Sequence, residues 1–99
     1  MPSEYDPHPE RFLGTGTVFI AWDEHDHLYL VYWDSLPEED PGRAIEEGPR
    51  TSDINEVVGW ARQRTPRVLI RPESDPGEYY WAGEGEPQEG DTSLKRLAL

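Results

Sequence analysis

His25 and His27 flank Asp26, and Asp23 stands two residues before His25. In an extended segment, imidazoles at i and i+2 project to the same side, and a nearby carboxylate could complete a divalent-metal site. A solvated turn explains the same residues more simply, because polar side chains are the rule in turns. Only His8 adds a third imidazole and there is no cysteine, so a small metal-binding or enzymatic domain using His25 and His27 is kept as an alternative and no cofactor is expected. Arg62, Arg64, Arg67 and Arg71 form a second group, with no acid among the residues between them. Guanidinium groups at this density can hold an anion. They can equally pair inside the protein with the acidic stretch from Glu38 to Glu47, and that use is the stronger expectation. Nucleophilic catalysis finds no support. Cysteine is absent, no serine sits in a Gly-x-Ser-x-Gly elbow, and among 21 carboxylates an apparent acid–base pair arises by chance. Gly14-Thr15-Gly16 precedes a strand pattern, so it lacks the helix N-terminus that would bind phosphate. The chain is expected not to be an enzyme.

The charge carries more information. The 99 residues hold 21 acidic and 9 basic side chains, a formal charge of -12. Residues 1–50 hold 12 acids and 3 bases, and residues 51–99 hold 9 acids and 6 bases, so the surplus lies in the first half. A polyanion partner is disfavoured, because nucleic-acid binding rests on neutralising phosphates. A single-stranded nucleic acid on an aromatic sheet face, with Arg62, Arg64, Arg67 and Arg71 as its anion contacts, remains a second alternative. No stretch is apolar enough to span a membrane, and residues 1–13 lack the pattern of a signal peptide. A cysteine-free chain suits a reducing compartment, so a cytoplasmic location is expected. Eight of the nine basic residues are Arg, a skew that hints at a GC-rich, bacterial coding sequence.

The elements that would position these groups follow from periodicity. Residues 1–13 read as a flexible lead-in with Pro2, Pro7 and Pro9. Thr17 to Trp22 and Leu28 to Trp33 are β-branched and aromatic runs joined by a short polar loop, the pattern of an antiparallel hairpin. Residues 34–50 read as a long loop, mobile or functional. Thr51 to Thr65 carries Ile54, Val57, Val58 and Ala61 at helical spacing, with Asp53 and Glu56 placed for a capping box and Pro66 as the stop. Arg67 to Arg71 and Glu78 to Gly83 read as two further strands, separated by a type II turn at Pro76-Gly77. The expected fold is α+β: a four-stranded, mainly antiparallel ββαββ sheet with one helix on one face, in a single domain over residues 14–85. Residues 86–99 are expected to be a flexible acidic linker and a short apolar end. The uncovered face should show some of Phe19, Tyr29, Trp33, Tyr79 and Trp81.

The segment Thr51-Ser52-Asp53-Ile54, the strand Pro66-Arg67-Val68-Leu69-Ile70 and the run Tyr80-Trp81-Ala82-Gly83-Glu84-Gly85 resemble a family of small immunity proteins from bacterial polymorphic-toxin systems. The resemblance spans about 40 residues and implies a non-enzymatic inhibitor that sets acidic residues against a basic toxin. Negative potential steers a basic partner, and aromatic side chains supply anchors. The expected function is therefore an acidic, non-catalytic protein-interaction domain for a basic partner. Its expected contacts are Asp23, Glu24, Asp26, Glu38, Glu39 and Asp40, with Trp33 as anchor.

Overall fold

The computed structural model describes residues 14–35 and 45–98. Within them the order is β1 (Thr17–Asp23), β2 (Leu28–Asp34), β3 (Ile45–Glu47), α1 (Ile54–Arg62), β4 (Val68–Arg71), β5 (Tyr80–Trp81) and β6 (Lys95–Arg96). The strands form one sheet in the order β3-β2-β1-β4-β5-β6. The α+β class and the single helix match the sequence reading. The sheet has six strands rather than four, and it is mixed rather than mainly antiparallel.

Each difference has a local cause. β1 and β2 pair antiparallel from Thr17–Asp34 to Asp23–Leu28, as the aromatic hairpin requires. The chain then crosses through α1 and returns beside β1 in the same direction, so β1 and β4 pair parallel from Val18–Val68 to Ala21–Arg71. A helical crossover is the usual connection between parallel neighbours. Ile45-Glu46-Glu47, expected within the long loop, adds an edge strand to β2. Lys95–Arg96, expected in a flexible tail, pairs parallel with β5. At the turn before β5, Glu78 N–H donates to the Asp75 carbonyl with Pro76 and Gly77 between. Gly77 is not among the positive-φ glycines, so the turn is not the expected type II.

Alternation along the strands assigns the two faces. Val18, Ile20, Tyr29, Val31, Trp33, Val68 and Ile70 turn toward α1, where they pack with Val57, Val58 and Ala61 into one buried core. The helix stripe thus covers the face the sequence spacing assigned to it. Asp53 caps α1, its carboxylate accepting from Asn55 N–H at 2.9 Å and Glu56 N–H at 3.4 Å. Capping satisfies donors that the first turn otherwise leaves open. Trp33 is fully buried, and its indole N–H donates to the Thr15 carbonyl at 2.9 Å. Gly16 holds the entry to β1: its φ is +75°, and a Cβ there would lie 2.0 Å from the Asp34 carbonyl oxygen.

Candidate functional site

One helix can cover only one side of the sheet. On the other side stand Leu30 and Tyr32 of β2, opposite Ala21 and Phe19 of β1, which in turn face Arg71 and Leu69 of β4. Phe19 is the hub of this face. Its ring lies 5.5 Å from Tyr32 in a tilted pair and 6.4 Å from Tyr79 edge-on, both within the range of favourable aromatic contact. Tyr32 is 44% exposed, Leu30 42%, Tyr79 40% and Ile45 37%, the large hydrophobic side chains most open to solvent among the described residues. Register and ring contacts place all four on this same side. Scattered exposed apolar residues are ordinary, but a contiguous group is the mark of an interaction surface.

The β5–β6 end of the face is closed. Trp81 points to this side opposite Leu69, yet it is fully buried, with its indole N–H donating to the Gly85 carbonyl at 3.2 Å. The segment after β5 folds back and is fastened by Asp91, which is 5% exposed. Arg67 donates Nε and Nη2 to the two Asp91 oxygens at 2.8 and 2.9 Å, and Nη1 to the Thr17 hydroxyl at 2.7 Å. The hydrogen bonds from Arg67 hold the Asp91 carboxyl below its usual range against the opposing effect of burial, and the same bonds raise Arg67 further. Residues expected to form a loose tail therefore seal one half of the face.

The open half is bordered by acids. Glu47 stands opposite Tyr32 in the β2–β3 pairing, and Asp23 and Glu24 lie at the hairpin end. There an open depression of about 550 Å³ has Ala21, Leu30 and Pro76 among its walls, with Asp23, Glu24 and Arg71 at its margins. Asp23 also shapes the turn, accepting from His25 N–H at 2.9 Å and Asp26 N–H at 3.4 Å.

The residues singled out from sequence are distributed as follows. Asp23, Glu24 and Asp26 occupy the end of the β1–β2 hairpin, with Glu24 and Asp26 exposed. Glu38, Glu39 and Asp40 lie outside the described residues. Trp33 is a correction: it belongs to the core under α1, because the odd positions of β2 face the helix, and it is not a surface anchor. Tyr29 is buried there for the same reason. His25 and His27 are exposed in the turn, and among the described residues no three His, Cys, Asp or Glu side chains gather to hold a metal ion. The arginine group is dispersed. Arg62 donates to the Ala82 carbonyl at 2.9 Å. Arg64 stacks 3.7 Å over Trp60 and bonds both Glu46 oxygens at 3.0 and 3.2 Å, which is the internal pairing with the acidic stretch that the sequence favours. Arg67 serves Asp91, and Arg71 alone lies on the open face.

Neither a family model, nor a curated protein, nor a solved structure matches this chain. No helix among the described residues is long and apolar enough to cross a membrane.

Leu30, Tyr32 and Ile45 were not expected from sequence, whereas Tyr79 was expected on the uncovered face, though not as a partner contact. A signal for two of them was present. Leu28 to Trp33 is apolar or aromatic at every position, whereas a strand covered on one face normally alternates with polar residues. The surplus apolar set has no second helix among the described residues to bury it.

Proposed function

We propose that this chain is a non-catalytic protein-interaction domain whose open sheet face docks a basic protein partner. The observation that carries this reading is the grouping of Leu30, Tyr32, Ile45 and Tyr79, all exposed, around Phe19 on the uncovered side of the sheet. Aromatic side chains of this kind act as anchors at the centre of protein interfaces. The acids around them, Asp23, Glu24, Asp26 and Glu47, together with the net charge of -12, select the sign of the partner. Glu38, Glu39 and Asp40, outside the described residues, remain proposed partner contacts. A basic toxin held by an immunity protein, as the family resemblance implies, is one partner of this chemistry, and a cysteine-free chain suits a cytoplasmic setting.

Affinity capture from a lysate of the source cells tests the reading. The wild-type chain should retain a basic protein, and Tyr32→Ser combined with Tyr79→Ser should weaken that complex about thirtyfold, the loss of roughly 2 kcal/mol of anchor contact. Gln63→Ala, at the exposed end of α1, should leave it unchanged. Equal retention of the same protein by the double face variant overturns the proposal.

A further inference from the structure

Arg71 is the one member of the arginine group without a hydrogen-bond acceptor among the described residues. Its Nε is buried and unpartnered, and its guanidinium lies 5.3 Å from the centre of the Tyr79 ring. The chain holds 21 acids, and those nearest in sequence are engaged elsewhere or exposed to solvent. Asp75 accepts the Tyr80 hydroxyl at 2.6 Å, Asp23 accepts the hairpin amides, and Glu73 and Glu78 are exposed to solvent. The side chain is therefore held by packing and ring stacking, not by its own hydrogen bonds. Its side chain lines the depression together with Ala21, Leu30 and Pro76, at the end of the exposed group next to Tyr79.

We infer that Arg71 is an acceptor-specific subsite of the docking face, and that it takes a carboxylate side chain presented by the basic partner. This rests on the proposed docking role. A free anion would be repelled by Asp23, Glu24 and the rest of the chain, so the carboxylate must arrive on a segment whose other charges are positive and meet the acidic border. The partner segment is thus of mixed charge: cationic groups against Asp23, Glu24 and Glu47, an apolar or aromatic contact on Phe19 and Tyr32, and one acid on Arg71. A guanidinium already placed over an aromatic ring loses less rotamer freedom on binding, and its two outer nitrogens can bond a carboxylate through parallel N–H groups.

A displayed library of random linear peptides, selected separately on the wild-type chain, Arg71→Gln and Arg71→Lys, tests this. Circular dichroism checks that each variant is folded, and Arg71→Lys keeps the positive charge should the neutral variant fail to fold. Wild-type binders should be rich in Lys, Arg and aromatic residues, with an Asp or Glu recurring at one fixed position. Changing that acid to its amide should weaken a selected peptide about tenfold on the wild type and hardly at all on Arg71→Gln or Arg71→Lys. Basic aromatic binders without a fixed acid, or an acid preference that survives in both variants, overturn the Arg71 subsite and leave the docking role standing. Binders indifferent to Tyr32→Ser overturn the docking role, and the subsite with it. Arg71-dependent capture of a single-stranded oligothymidine in a parallel arm, with no acid-bearing peptides selected, replaces the proposal with an anion-binding face.

Discussion

Removing the Asp91 carboxylate should loosen the closed end of the open face and cost the fold a measurable share of its stability. Asp91 is 5% exposed and receives two Arg67 hydrogen bonds at 2.8 and 2.9 Å. Breaking one side of a fully buried ion pair costs about 3–5 kcal/mol. Here the Arg67 side chain keeps a third of its exposure, so water can solvate the orphaned guanidinium, and its bond to Thr17 persists. Screening of this kind lowers the expected cost of Asp91→Ala to about 2 kcal/mol. For a domain of this size the melting temperature should then fall by about 10 °C. Urea titration followed by tryptophan fluorescence reads the change, with a lower midpoint and an unaltered slope. The pH dependence gives an independent check. Because the native pairing holds the Asp91 carboxyl below its ordinary range, its contribution is complete above the unfolded value, about 3.9. It is lost as the pH falls from there through the native value. The gap between wild type and Asp91→Ala should therefore be full at neutral pH and close in strong acid. A urea midpoint unchanged at neutral pH, or a gap that persists undiminished in strong acid, refutes the role given to this pair.

Other substitutions probe other parts of the framework. Gly16→Ala sets a Cβ 2.0 Å from the Asp34 carbonyl oxygen at a φ of +75°, and should cost about 3 kcal/mol or more in urea denaturation. Trp33→Phe removes the indole donor to the Thr15 carbonyl and leaves a void in the core. It should destabilise by about 2 kcal/mol, read by calorimetry. Tyr32→Ser removes a half-exposed ring and its contact with Phe19; it should cost about 1 kcal/mol of stability, while the same variant weakens partner binding. Arg64→Ala breaks a half-buried pair with Glu46 and the stack on Trp60, and should cost about 1 kcal/mol, decreasing in high salt.

The sequence makes the covered side of this protein legible and the open side only partly so. The stripe Ile54, Val57, Val58, Ala61 and the cap at Asp53 declare a helix and its buried face through local spacing alone, and the aromatic hairpin declares β1 and β2. The partner of β1 on its other edge depends on where the chain returns after α1. That is a matter of topology: β4 and β5 pair antiparallel as their spacing predicts, and it is the parallel return of β4 beside β1 that makes the sheet mixed. β3 and β6 are two or three residues long, too short for a periodic signal, and they exist because neighbouring strands offer unpaired edges. Trp33 illustrates the limit for the site. Its residue type suits an anchor, but the alternation of β2 combined with the position of α1 sends it inward and sends Leu30 and Tyr32 outward. Within the arginine group, sequence proximity suggests one site, whereas Arg62, Arg64 and Arg67 are drawn to three different acceptors and Arg71 is left half-buried beside Tyr79.

Hydroxyl-radical footprinting of the complex with the captured basic partner, compared with the free chain, tests the central claim most directly. It reads the exposure of individual side chains, and the open-face rings are good targets. The account predicts that oxidation of Tyr32 and Tyr79 falls sharply on binding while that of Trp60, on the opposite side of the sheet, stays the same. Protection of Trp60 with Tyr32 and Tyr79 as reactive as in the free chain would contradict it.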